Sequence, residues 1–276
     1  MATYRTQVFN NVNGRSISVA WYECPPESLE IVTTNGANLR RPGTNASFFV
    51  PNNGPMSALH IQNGRVVHTG GDTNVADAGN FNTRMSAMFF EMVLPGEQHA
   101  VPHTPRVVNR VDNLQSLINQ LQYHQVQGRI MWALGGFTLF LGESIANEQA
   151  LNSRYDAVFP NMRPTWIPGL GVGIRRARTF LAYSSSRNVV CFGVMSTAIN
   201  FSSINGIGDN VNGTVGATYF DMYTILRNAT FSCGMGISLD GGSSTRVRRQ
   251  SGSPIEIRTT SARANVLCQV TSHGLQ

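Results

Sequence analysis

Short runs of alternating apolar and polar residues, broken by Gly, Asn and Pro, make up most of the chain. RSISVAWYEC and LEIVTTN alternate with the period of two expected of strands that bury one face. ALHIQNGRVVHTG does the same on both sides of Asn63-Gly64, a pair suited to the positive backbone angles of a two-residue hairpin turn. RTFLAY and NVVCFGVM, split by the polar SSSR, form a second predicted hairpin. Two segments carry a helical period instead. DNLQSLINQLQYHQ sets Leu114, Leu117, Ile118 and Leu121 on one face behind Asp112 as N-cap. TYFDMYTILRNAT sets Tyr219, Met222, Tyr223 and Leu226 on another. The pattern predicts an α+β fold: a strand-rich single domain over 1–276, with a mixed or mostly antiparallel sheet and two main helices. Residues 147–168, rich in Asn, Pro and polar side chains, are expected to form a long connection or insertion. No internal repeat is evident, and no break in composition is sharp enough to mark two domains.

Composition narrows the class. With 41% hydrophobic and 13% charged residues in 276, the chain is not of the disordered type, which combines low hydrophobicity with high charge. Its 27 Gly follow no strict period, which excludes a collagen-like chain. All 21 basic residues are arginine, so the net charge of +6 consists of guanidinium groups that grip phosphates or carboxylates in bidentate fashion. That charge suits an anionic partner, whether nucleic acid, membrane surface or acidic glycan; it also suits ordinary solubility. No recognised nucleic-acid module accompanies the basic runs, so nucleic acid is not the expected partner. No run approaches the roughly 18 apolar residues of a membrane span. The N-terminal sequence lacks the basic head and apolar block of a secretory signal. The chain is therefore expected in the cytoplasm, on a phage particle, or exported by another non-classical route. Cys24, Cys191, Cys233 and Cys268 lie far apart without CxxC spacing, and read as buried free thiols. His99 and His103 have metal-like spacing, but Pro102 between them opposes a helix; neither metal nor cofactor is expected.

Three segments combine chemistry-bearing side chains with turn formers. MGISLDGGSST ends an apolar strand in Asp240, followed by Gly241, Gly242 and a run of hydroxyls that begins at Ser243. Glycines there allow a sharp turn and close approach of a ligand; a plain Asp-Gly hairpin turn is the ordinary alternative. TNASFFVPNNGP sets the amide of Asn45 near Phe48 and Phe49, a pairing suited to sugar hydroxyls or to a simple turn. GIRRARTFLAY carries Arg175, Arg176 and Arg178 at a strand start. Residues i and i+2 share a strand face, so Arg176 and Arg178 are expected to project together toward an anion, or else to solvate a sheet edge.

In order and rough spacing these segments resemble the phosphodiester glycosidase family. The matching elements are Asn45 to Phe49, Pro55 through Gly64, Ala133 to Leu139, Arg178-Thr179, the helix ending near Asn228, and Leu239 to Ser244. Ala46 and Ser47 stand where that pattern often has glycine, and Asp221 stands where its helix commonly carries glutamate. The resemblance implies hydrolysis of a sugar-1-phosphodiester, with N-acetylglucosamine a candidate sugar and no cofactor. It implies Asp240, Arg178 and Asn45 as catalytic residues. Ser243, Gly241, Gly242, Thr179, Arg176 and Phe49 would bind substrate. Asp209 and Asp221 are the candidates for a second carboxylate. The expected partner is a sugar phosphodiester or an anionic cell-wall glycan; the oligomeric state is left open. The alternative is a non-catalytic glycan-binding or structural module of a phage tail or surface assembly.

Overall fold

The structure is a computed structural model that describes residues 2–36, 38–46, 58–69, 85–91, 104–111, 113–121, 130–159, 173–209, 214–249, 256–259 and 266–275. In chain order its strands are β1 (Thr3–Val12), β2 (Arg15–Cys24), β3 (Leu29–Gly36), β4 (Gly43–Asn45), β5 (His60–Gln62), β6 (Arg65–His68), β7 (Met85–Glu91) and β8 (Arg106–Val111). Helix α1 (Leu114–Leu121), β9 (Ile130–Thr138), helix α2 (Glu148–Val158), β10 (Arg178–Ser184) and β11 (Val189–Ser196) follow. Helix α3 (Tyr219–Arg227), β12 (Met235–Leu239), β13 (Arg246–Arg248), β14 (Glu256–Arg258) and β15 (Val266–Ser272) complete the series. The fold is α+β.

Two antiparallel sheets result. Among the described residues the larger has ten strands, with β1-β2-β11-β10-β12-β9-β5-β6 in order, β7 pairing with β9 and β8 with β7; the smaller runs β14-β13-β4-β15-β3. The predicted hairpin at Asn63-Gly64 joins β5 to β6, both residues having positive φ (48° and 74°). The second predicted hairpin pairs Ser184 with Val189 between β10 and β11.

The large sheet is covered on both faces. Ile17, Val19 and Trp21 of β2 pack with α2 and α3, while Ala20, Tyr22 and Cys24 of the same strand pack with Ile31, Val247 and Val270 of the small sheet. Burial therefore does not alternate along β2: every residue from Ile17 to Cys24 is buried. A third cluster, including Leu59, Phe89 and Ala133, lies beneath Leu117 of α1.

Helix α3 matches its predicted face, with Tyr219, Met222, Tyr223 and Leu226 all buried. Helix α1 begins at Leu114, with the Asn113 side chain accepting from the Ser116 N–H at 3.0 Å; Asp112 lies outside the described residues. Inside the expected connection at 147–168 the chain instead forms α2 over Glu148–Val158, capped by Asn147, whose side chain accepts from Ala150 N–H. The rest of that segment, from 160 on, lies outside the described residues.

Candidate active site

Asp240 directly follows β12, where the register sets Leu239 opposite Thr179 of β10. Its backbone N–H donates to Ala46 O at 3.0 Å, just beyond β4. The chain then turns through Gly241 and Gly242 into a 3-10 turn over Gly242–Ser244. Both glycines are required by their surroundings. A Cβ at Gly241 would lie 2.7 Å from Ala177 O, and Gly242 has φ +58°, in the left-handed region. Gly242 N–H donates to Ala177 O at 2.8 Å, which ties the turn to the start of β10.

Asn45 organises this junction. Its Nδ2 donates to Asp240 O at 2.7 Å, and its Oδ1 accepts from Thr179 Oγ1 at 3.0 Å and from Arg246 N–H at 2.9 Å. One amide thus joins β4, β10, the Asp240 turn and β13, and both lone pairs of its oxygen are taken. Asn45 and Thr179 are buried, Asp240, Gly241 and Ser243 are half-buried, and Gly242 is buried. Asn45, Thr179, Asp240, Gly241, Gly242 and Ser243 are therefore brought together. Phe49 lies outside the described residues.

The two arginines differ in accessibility. Arg178 is 1% exposed; its Nε donates to Ala217 O at 3.0 Å, its Nη2 to Ile174 O, and its guanidinium carbon lies 4.5 Å from the centre of the Tyr219 ring. Burial pulls its pKa down and the nearby charge of Arg176 adds to this, against the raising effects of Tyr219 and Asp209. Arg176 precedes the strand in an isolated bridge with Ala217, which frees it from strict strand alternation. Its side chain is 19% exposed and lies against the glycine turn: a Cβ on Gly242 would sit 3.3 Å from Nη2 and 3.4 Å from Nε. Arg176 Nε is 3.8 Å from Asp209 Oδ1, which also accepts from Ala177 N–H at 3.0 Å. The more accessible cation beside the Asp240 turn is Arg176.

The two candidate second carboxylates differ in their surroundings. Asp221 accepts from Asn13 Nδ2 and Arg175 Nη1, each at 2.8 Å, and from Thr218 N–H at 2.9 Å in a capping box at the start of α3. It holds the helix end. Asp209 instead sits between Ala177 and Arg176, next to the glycine turn.

Sequence reading places Tyr219 on the apolar face of a helix and Tyr155 in a connection, and neither beside the Asp240 turn. Both are buried, with rings in edge contact at 5.8 Å. Burial pushes the Tyr219 phenol up, Arg178 and Ser238 oppose the rise, and Asp240 adds to it. Among the described residues no group of three His, Cys, Asp or Glu has the geometry to hold a metal ion. No described helix is long and apolar enough to cross a membrane.

No protein-family profile matches the chain, and no curated protein matches it. Solved structures do. The catalytic domain of zebrafish N-acetylglucosamine-1-phosphodiester alpha-N-acetylglucosaminidase, auto-inhibited by its pro-peptide, superposes with a TM-score of 0.57. Identity is 12%, over 99% of this chain and 83% of that one. The likeness is one of fold. A hypothetical protein from Synechocystis superposes with a TM-score of 0.53 at 13% identity, over 98% of this chain and 61% of that one. The resemblance read from the sequence is thus accompanied by a distant fold relationship to a glycosidase catalytic domain.

Proposed function

We propose that the protein is a hydrolase that cleaves a sugar-1-phosphodiester between the anomeric carbon and the phosphate oxygen, with N-acetylglucosamine as the candidate sugar. The observation that carries this reading is the placement of Asp240 at the end of β12, locked by Asn45, with the guanidinium of Arg176 against the adjoining Gly242. A phosphodiester leaves as a stabilised anion, so the reaction needs little proton donation and much charge neutralisation. Water adds to the anomeric carbon, the carbon–oxygen bond to phosphate breaks, and Asp240 accepts the proton the water loses. Arg176, oriented by Asp209, meets the charge that develops on the departing phosphate. Ser243 and the backbone at Gly241 and Gly242 line the substrate side. Asn45 and Thr179 act as positioning residues. Arg178 holds Tyr219 beneath the site and adds positive potential from within the fold.

Release of N-acetylglucosamine from a synthetic N-acetylglucosamine-1-phosphodiester tests this directly. Asp240→Asn is expected to lower kcat by about 100-fold or more while leaving the melting temperature near that of the parent. Arg176→Ala is expected to lose kcat/KM by at least tenfold. Wild-type turnover in Asp240→Asn would refute the assignment. Retention of a wall glycan without any product would favour the non-catalytic binding module.

A further inference from the structure

All four cysteines are buried free thiols, and two of them meet. Cys191 lies on β11 opposite Ala182 of β10, on the sheet face that α2 and α3 cover. Cys233 lies in the connection from α3 to β12 and belongs to the same apolar cluster. Their side chains hydrogen-bond to each other. Arg187, in the turn between β10 and β11, ties the two together. Its Nη2 donates to Cys191 Sγ at 3.5 Å and to Phe231 O at 3.0 Å, and Cys233 Sγ donates to that same oxygen at 3.7 Å. The charge of Arg187 is matched by Glu23, whose Oε1 lies 3.0 Å from its Nη1. The remaining cysteines have other neighbours: the Cys24 side chain bonds with Ser272, and Cys268 Sγ lies 3.8 Å from His60 Nδ1.

The two thiols differ in access. Cys191 is 0% exposed and Cys233 4%. Cys233 is flanked by half-buried Ser232 and exposed Gly234, and a Cβ on Gly234 would meet nothing within 4 Å, so the chain there faces open space. The contact with Cys233 and burial push the Cys191 pKa up; Cys233 and Glu23 add to this through their charge, and Arg187 opposes it. Cys191 is thus a neutral thiol sealed behind Cys233, inert toward reagents in solution. A reagent small enough to enter beside Gly234 meets Cys233 first.

We propose that Cys191 and Cys233 form a redox-active dithiol that takes a peroxide and closes to a disulfide between β11 and the α3–β12 connection. The Cys233 sulfur attacks one oxygen of hydrogen peroxide, the O–O bond breaks, and the thiol proton joins the departing hydroxide; sulfenic acid and water result. The Cys191 sulfur then attacks Cys233 Sγ, the S–O bond breaks, and the Cys191 proton leaves with the hydroxide as a second water. The two sulfurs together lose two electrons, and the peroxide gains them. The link closes a loop that contains α3 and ends just before β12, the strand that leads to Asp240. It is independent of the hydrolase reading.

The test treats the full, folded chain with hydrogen peroxide, denatures it, alkylates the remaining thiols, and digests it without reduction for mass spectrometry. The expected product is a peptide linked between Cys191 and Cys233, with Cys24 and Cys268 alkylated and the link reversed by dithiothreitol. The oxidised chain should melt about 5 °C or more above the reduced one, because the link restricts the unfolded chain. Cys24→Ala should keep that shift, and Cys233→Ala should lose it. Four results would overturn the proposal: both thiols left free, Cys233 carried to sulfinic acid without a link, a link from either cysteine to Cys24, Cys268 or a second chain, or the full melting shift in Cys233→Ala. Should Cys233→Ala not fold, the spectrum of the unmutated protein decides alone.

Discussion

A buried side-chain amide must find partners for its donors and acceptors, and the partners of Asn45 are what fix the position of Asp240. Sequence reading places a sugar-facing amide or a loop-forming asparagine at this position. The structure shows a clamp within a strand, because the bonding capacity of the Asn45 oxygen is filled by Thr179 and the Arg246 backbone. The same residue-scale accounting applies to Gly242. Gly242→Ala would force a Cβ into left-handed backbone and against Arg176, at an expected cost of about 1–2 kcal/mol in stability. Under the proposed mechanism it should also raise KM for the phosphodiester several-fold, since Arg176 must shift. A kinetic assay beside a denaturant melt separates the two effects. A melt shift with unchanged KM would release Arg176 from its assigned role.

At the scale of elements, helix α3 shows how one acid near a helix start holds the helix end. Asp221 accepts from Thr218, Asn13 and Arg175 in a buried setting, so its removal strands a cation and two donors together. Asp221→Ala is expected to destabilise by about 3 kcal/mol, and Asp221→Asn by less, in urea unfolding. A loss below about 1 kcal/mol in Asp221→Ala would show that the network is dispensable. This helix was legible because its apolar positions keep a helical period, and the structure adds the Thr218–Asp221 capping box to it. The two hairpins were legible for the same reason, with turn residues matching the strand pattern. Helix α2 was not. Its buried Leu151, Tyr155 and Val158 do keep helical spacing, but Glu, Gln, Asn, Ser and Arg around them dilute the signal. Of the small sheet β3 was legible, but β4, β13 and β14 have three residues each, too few for a period of two to register. Alternation by itself could not place Arg176 relative to Arg178, because it holds only within a strand and β10 begins at Arg178.

For the molecule as a whole, the contact between the two sheets has its own acid sensitivity. His60 of β5 sits 3.4 Å from Ile31 O of β3 and 3.8 Å from Cys268 Sγ of β15, fully buried between the sheets. Burial pulls its pKa down to about 4. The unfolded chain, with an ordinary imidazole near 6.5, binds that proton more readily than the folded one. Stability from the neutral ring is therefore complete above about pH 6.5 and falls as the pH drops toward 4, by about 3 kcal/mol in all. His60→Gln should flatten this acid limb in a series of melts from pH 7 to pH 4. An unchanged slope would assign the limb to other groups.

The site also draws on distant parts of the chain. β4 is held between β13 and β15, and the register sets Asn45 opposite Gln269. A strand of three residues cannot hold its place alone. During synthesis Asn45 is made more than two hundred residues before the partners that fix it, Arg246 and Gln269. The junction around Asn45 is thus unfinished until the ribosome has passed Val266–Ser272, and a nascent chain released earlier carries Asp240 without the strand order that holds it.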